Sequence, residues 1–302
     1  MRGLQISIAW SGLPLFGLLA ACGDAGGGVA STPTPPASYT RIADMTGDRT
    51  FQTGGTQYNS SPAGFSNASA LAFGSGVTVA YTAASDTYRL MAPDGTNVTF
   101  DPSNAQPAPP GTANTQFWVK TVGTTRDQFA LTVPTVAGVP LSYTIVGSWG
   151  HIDTAANTAV FRLAVGGAPT IASDMPRTGT ATYATSVGGS VVPTGGGVPY
   201  TLTGNSTGTF SANFANGSIT TALTLAGTPA SGGGTVTSFG TFNGTGAIAS
   251  SGPGFTGTLT GTSATGIFSG AFFGPQALEM GYDWSVTAPT FGAVGTVTGV
   301  KN

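Results

Sequence analysis

The chain has 302 residues, of which 48 are Gly and 20 are Pro, and only 7% are charged, against roughly 25% in an ordinary soluble domain. Nine Lys+Arg against eleven Asp+Glu exclude the basic footprint of a nucleic-acid binder, and the scarcity of Glu and Lys excludes a long helical protein. One Cys and one His are too few for a disulfide framework or a Cys/His zinc site, so 49 Thr beside the glycines leave β structure as the expectation.

Residues 1–22 read as a targeting segment. Arg2 supplies a short positive start, and Leu4 to Ala21 is apolar apart from Gln5, Ser7, Ser11 and Pro14. At about 18 residues it sits at the lower limit of membrane-spanning length, with a Pro in its middle. It ends in Leu19-Ala20-Ala21-Cys22, followed at once by Gly23-Asp24. That quartet resembles the bacterial lipobox, and the sole cysteine stands where the lipobox needs one. The resemblance implies that residues 1–21 are removed and that Cys22 is acylated, for instance with palmitate, becoming the lipidated first residue. An ordinary signal peptide and an uncleaved anchor are the alternatives. Acyl chains partition into a bilayer at about 0.8 kcal/mol per buried CH₂, so more than one gives a stable hold. Gly23, rather than Asp, after the cysteine implies sorting to the outer membrane. Residues 22–38 read as a spacer, flexible through Gly26-Gly27-Gly28 and extended through Pro33, Pro35 and Pro36.

Residues 39–167 read as a β-rich domain. Asp94-Gly95 marks a hairpin between strands at 87–92 and 97–101, and further strands are expected at 117–121, 128–133, 141–149 and 159–165. Residues 102–110 read as a loop. The run Gly166-Gly167-Ala168-Pro169 through Met175-Pro176 is the expected boundary before a second domain at 168–302.

In that second part the clearest piece is a hairpin through Asn216-Gly217. Taking Ala215 and Ser218 as the flanking pair, Phe214 faces Ile219, Phe210 faces Leu223 and Ala212 faces Thr221. One apolar and one polar face follow. With strands expected at 179–186, 200–204, 235–242, 255–260, 266–272, 282–287 and 292–298, there are enough runs for a closed antiparallel barrel of about eight strands. Phe272, Phe273, Trp284 and Phe291 are expected to fill its core, and Thr and Ser on the outer face replace charge as the solubilising element.

Two segments carry a family resemblance. Ser173–Tyr183, SDMPRTGTATY, resembles the lead-in to the β-barrel domain of the transferrin-binding protein B family. Gly266–Trp284, GIFSGAFFGPQALEMGYDW, resembles that barrel's most characteristic segment, with its places held by Gly270, Phe272, Phe273, Gly274, Pro275, Ala277, Glu279 and Gly281. Gly292-Ala293 resembles the strand that closes the barrel. Two departures stand out. Tyr282 occupies the place of a second Gly, and the chain has one barrel with one preceding β domain where the family protein has two such lobes. The resemblance implies an all-β fold, an N-terminal handle-like domain followed by the barrel. It also implies a lipoprotein of the outer membrane and cell surface that acts by binding. The implied partner is a protein such as a haem or iron carrier, collected for nutrient uptake together with a TonB-dependent transporter. No cofactor, metal or enzymatic activity is implied.

Other chemistry is thinly represented. Gly204-Asn-Ser206-Thr-Gly208 matches G-x-S-x-G, but a β-hairpin and not a helix is expected after it, and the only His lies upstream. His151 with Asp153 reads either as a general-base or metal pair or as a surface His in a turn. Asp44 and Asp48 lack the six to eight oxygens calcium takes. Asn67, Asn97, Asn205, Asn216 and Asn243 open N-x-Ser/Thr triplets and read as turn residues. Glu279, the only Glu, is expected either to accept backbone or Tyr hydrogen bonds and fix the loop after Pro275, or to touch a ligand. A small-ligand carrier and a structural or adhesive surface protein are the competing readings of the whole chain.

Overall fold

Runs in which Thr alternates with Val, Phe, Leu and Tyr form antiparallel strands, because alternation places one set of side chains on a buried face. The computed structural model describes residues 37–62, 64–109, 112–202 and 204–302. In the first half the strands are β1 (Arg49–Phe51), β2 (Gly54–Ser61), β3 (Gly64–Leu71), β4 (Thr78–Thr82), β5 (Thr87–Met91), β6 (Asn97–Phe100), β7 (Ala105–Gln106), β8 (Thr115–Val122), β9 (Thr125–Thr132), β10 (Thr135–Val136), β11 (Val139–Pro140), β12 (Thr144–Asp153) and β13 (Thr158–Gly167). They form a four-stranded sheet, β1-β4-β5-β6, and a seven-stranded sheet, β3-β2-β13-β12-β9-β8-β7, with β10–β11 as a separate small hairpin.

The two larger sheets pack through one apolar layer. Val79, Leu90 and Phe100 of the smaller sheet meet Trp118, Phe129 and Trp149 of the larger. Trp118 and Phe100 both stack on Phe129, with ring centroids 5.3 and 5.9 Å away. Each side chain of this size contributes about 1.5–3 kcal/mol by leaving water. The strands between residues 49 and 82 were not foreseen. GGTQYNSS and GFSNASAL carry little intrinsic β preference, and β2 forms because β13 offers it an edge from Ala159 to Val165. The expected loop at 102–110 holds a short turn at Pro102–Asn104 and the two-residue strand β7.

The second half is the barrel. Its strands are β14 (Thr180–Pro193), β15 (Tyr200–Leu202), β16 (Thr207–Asn213), β17 (Ser218–Pro229), β18 (Thr237–Ile248), β19 (Gly254–Gly261), β20 (Ala264–Phe273), β21 (Glu279–Thr287) and β22 (Phe291–Lys301). They form one nine-stranded sheet that closes through pairing of β14 with β22. The short β15 and β16 share one place in the ring, since each pairs with both β14 and β17. The circumference therefore has eight positions, as expected. Phe210, Phe255, Phe268, Phe272, Tyr282 and Trp284 fill the interior, each at most 2% exposed, as a barrel of this width allows. Phe273 departs from the expectation. It points outward, and Phe73 packs edge-on against it at 6.0 Å.

The β16–β17 hairpin has the expected apolar face but a different register. Asn213 pairs with Ser218, Ala212 with Ile219 and Phe210 with Thr221, so the loop is four residues, Phe214 to Gly217. The Asn213 side chain accepts from the Ala215 N–H at 3.0 Å, and this turn competes with a two-residue one. Only Gly217 takes positive φ, +70°. Because the shift is even, Phe210, Ala212, Phe214, Ile219 and Leu223 remain inside.

No residue between Arg177 and Glu279 is charged. The outer barrel face carries hydroxyls instead, with a rung running Thr182–Ser211–Thr220–Thr245–Thr258 across five strands. Of the N-x-Ser/Thr asparagines, Asn67, Asn97 and Asn243 lie in strands and not in turns. Where β20 and β21 turn their outer face to the seven-stranded sheet, the two halves join. Residues Ala37–Asn302 form one compact unit.

Candidate functional site

The barrel segment at residues 266–284 builds the join between the halves. On β21 alternate residues face opposite ways: Met280, Tyr282, Trp284 and Val286 fill the barrel, while Glu279, Gly281, Asp283 and Ser285 face the other sheet and are buried as well. A Cβ on Gly281 would lie 2.6 Å from Val165 Cγ1, so the bare backbone is what lets β13 approach. Gly270, on β20, pairs with Tyr282, and a Cβ there would meet the Gly281 carbonyl at 2.1 Å. Gly274 sits beneath the Tyr143 ring with φ +70°. It donates to the Ala168 carbonyl and accepts from the Thr170 hydroxyl at 2.7 Å. Pro275–Ala277 is a single 3-10 turn, and the buried Ala277 offers its carbonyl to the Tyr183 hydroxyl at 2.7 Å.

Glu279 is the polar centre of this join. Its carboxylate accepts from the backbone N–H of Ser142 at 2.6 Å, the N–H of Tyr143 at 2.9 Å and the hydroxyl of Thr144 at 2.9 Å. Burial pushes its carboxyl up from the usual range, and the donors from Ser142, Tyr143 and Thr144 pull it back. Two of its partners are backbone N–H groups and the third is the Thr144 hydroxyl, and they lie just before and at the start of β12 and not in the loop after Pro275. Asp283 lies on the same face, fully buried, with no hydrogen-bond partner for either oxygen. Burial drives its carboxyl well above the ordinary range, and the nearby Val165 N–H only partly opposes this. Nothing in the sequence separated Asp283 from a surface residue, because the sheet that covers it comes from more than a hundred residues away.

The catalytic candidates are held in structural bonds. Ser206 is buried, donates to the Ala226 carbonyl at 2.7 Å and accepts the Ala226 N–H at 2.9 Å, and β16 follows it instead of a helix. His151 pairs with Asp127, not with Asp153. Asp127 Oδ1 lies 2.7 Å from His151 Nδ1 and accepts from Trp149 Nε1 at 2.9 Å, while Asp153 caps the next turn through the Ala155 N–H. Alternation explains this, because residues 149 and 151 share one face of β12 and Asp127 sits directly opposite His151 on β9. Asp48 accepts from the Ala83 N–H. Among the described residues no group of three His, Cys, Asp or Glu is placed to hold a metal ion. The lipobox residues Leu19, Ala20, Ala21 and Cys22 lie outside the described residues.

One cavity of about 300 Å³ has the lining of a ligand site. It opens in the first half, with Phe51, Tyr81, Tyr88 and Leu131 as walls and Arg49 as its one charged residue.

Residues 175–300 match the family described as the C-lobe and N-lobe beta barrels of Tf-binding protein B. Over these residues the chain is similar to the transferrin-binding protein B barrels. Among solved structures, that protein from Haemophilus parasuis Hp5, a double mutant, is 14% identical with a TM-score of 0.40, over 80% of this chain and 59% of that one. Isotype 1 from serogroup B Neisseria meningitidis is 17% identical at a TM-score of 0.42, over 82% and 43%. The N-lobe of lactoferrin-binding protein B from Moraxella bovis is 15% identical at 0.35, over 63% and 81%. The chain thus spans about half the length of the first two transferrin-binding protein B structures. A search of curated proteins found no match to it.

Proposed function

We propose that the protein is a surface lipoprotein that binds a protein partner, a haem or iron carrier, and presents it to a TonB-type transporter in the outer membrane. The match of residues 175–300 to the transferrin-binding protein B barrels carries this reading. In it, Cys22 holds the chain to the membrane, residues 22–38 are the spacer, residues 39–167 act as the handle and residues 168–302 as the barrel. A barrel interior filled by aromatic side chains speaks against the lipocalin-like alternative, which needs a lumen. The bonds that hold Ser206 and Asp127 speak against catalysis.

The test is affinity capture from growth medium and outer-membrane extract, using the chain from residue 22 with Cys22→Ser. Recovery of an iron or haem carrier, or of a TonB-type transporter, is expected. A folded protein that captures neither overturns the reading. The anchor is tested separately by fractionating cells that carry Cys22→Ser in the full chain. That variant is expected to leave the membrane fraction, and its retention there overturns the lipid anchor.

A further inference from the structure

The cavity in the first half lies between the turn at Ile42–Asp44, strands β1, β4 and β5 of the small sheet, and β8, β9 and β12 of the large one. Its walls are apolar and aromatic. Tyr81 and Tyr88 form a continuous surface, with ring centroids 4.8 Å apart, and Phe51, Leu131 and Ile145 complete it. Polar groups stand at the rim: the Gln116 amide, 3.4 Å from the Tyr88 hydroxyl, and the guanidinium of Arg49.

Arg49 is the feature that selects a ligand. Its Nη1 donates to the Asp48 carbonyl at 2.7 Å, and among the described residues no carboxylate lies within ion-pair distance of it. The adjacent Asp48 carboxylate is turned away to the Ala83 N–H. The contrast with Arg162 is informative, because that guanidinium is bonded to Asp94 and Gln57 and lies 4.7 Å over the Trp149 ring. A half-buried arginine beside an apolar cavity, with most of its planar donor set unused, matches the geometry of a carboxylate.

We propose that this cavity is a binding site for a small carboxylate with an aromatic or branched aliphatic body. The body lies on Phe51, Tyr81, Tyr88 and Leu131, and the carboxylate accepts from Arg49. The volume, about 300 Å³, is at the lower end of the range for small-ligand pockets, which suits one or two fused rings and not a tetrapyrrole. A cation would meet Arg49 unfavourably, and a neutral alcohol offers the guanidinium one uncharged acceptor where a carboxylate offers two charged ones.

The experiment compares 1-naphthoate with 1-naphthalenemethanol, which share an apolar body and differ in charge, by calorimetric titration of the chain from residue 22 carrying Cys22→Ser. Saturable one-to-one binding of the naphthoate is expected, at least five-fold tighter than the alcohol. Arg49→Gln should erase that difference. Gln116→Trp, a change at an exposed rim position, should block both ligands at an unchanged melting temperature. Absence of saturable binding, equal affinity for acid and alcohol, or a preference that survives Arg49→Gln overturns the proposal. The acid–alcohol comparison on the unaltered site decides even if a variant folds poorly. Failure of carrier capture leaves this site untouched, and failure here leaves the capture reading untouched.

Discussion

The carboxylate of Glu279 accepts the backbone N–H of Tyr143 at 2.9 Å, joining residues 136 apart in the chain. Ser142 and Thr144 donate to the same group, so one side chain satisfies three successive donors where the N-terminal sheet meets the barrel. Glu279→Ala leaves buried N–H groups without a partner, each costing about 1–3 kcal/mol. The variant is expected to lose about 2–4 kcal/mol of stability, read as a lower urea midpoint with the membrane anchor unaffected. Glu279→Gln keeps one acceptor oxygen and should fall between the two. An unchanged midpoint for Glu279→Ala would remove Glu279 from the join.

Asp283 lies on the same face of β21 without a partner, and its consequence is a pH dependence. Burial raises its carboxyl well above the ordinary value in the folded protein, whereas the unfolded chain titrates near pH 3.9. The protonated form is favoured by folding, so the associated stability is fully present below about pH 4 and is lost as the pH rises through the folded value. Asp283→Asn keeps the shape and removes the titration. Its melting temperature should match the parent near pH 4 and exceed it increasingly as the pH rises. Glu279, also pushed up by burial, titrates in the same direction and leaves a residual slope that Glu279→Gln should remove. Parallel curves for parent and Asp283→Asn would show that Asp283 finds a partner in solution.

The barrel was legible in the sequence because its strands announce themselves locally: Thr alternating with Phe or Leu, and turns marked by Gly and Asn. Face assignment in the β16–β17 hairpin followed from alternation alone. Its register did not, because the Asn213 side chain bonds the Ala215 N–H and lengthens the loop. Strands β1 to β4 are not legible for the opposite reason, since their pairing comes from β13, from β5 and from each other. The same limit applies to the join. Glu279 is conspicuous as the only Glu, but its donors lie at residues 142–144, where the chain enters β12, and the covering of Asp283 and Phe273 is a tertiary fact. For His151 the acid nearest in sequence is Asp153, whereas a neighbouring strand supplies Asp127. The Arg49 cavity needs segments from residue 42 to residue 145 brought together and leaves no local signature.

Arg162 and Asp94 form an unequal ion pair, the guanidinium 1% and the carboxylate 44% exposed. Asp94→Ala therefore leaves a buried cation with only Gln57 and the Trp149 ring, a loss of about 1–3 kcal/mol. Arg162→Met leaves a carboxylate that water can solvate, so it should cost less despite removing more atoms. Asp94 also responds to acid. Burial pushes its carboxyl up, but bonds from Thr96 and Arg162 outweigh that and hold it below the usual range. Its contribution is present above about pH 4 and fades as the pH falls through the folded value, opposite in sign to Asp283. Denaturant midpoints for the two variants at neutral and acid pH give the order. A larger loss for Arg162→Met would show that packing, not charge, is what the pair supplies.

Gly281 tests whether the segment at residues 266–284 exists for the join. Its Cβ position lies 2.6 Å from Val165 Cγ1 and 3.3 Å from Thr144 Cγ2, and Val165 is fully buried with no free side to move into. Gly281→Ala forces β13 and β21 apart, which in a packed core costs about 1–3 kcal/mol. Separation at this point also lengthens the neighbouring Glu279 bonds, so the effect should be non-additive with Glu279→Ala, the double variant losing less than the sum. Gly252→Ala is the control, since its Cβ meets nothing within 4 Å and its φ is not positive. It should fall within about 0.5 kcal/mol of the parent. Urea midpoints for the four proteins decide it: additive losses for Gly281→Ala and Glu279→Ala would mean that the glycine and the carboxylate act on the barrel independently and not through one shared contact.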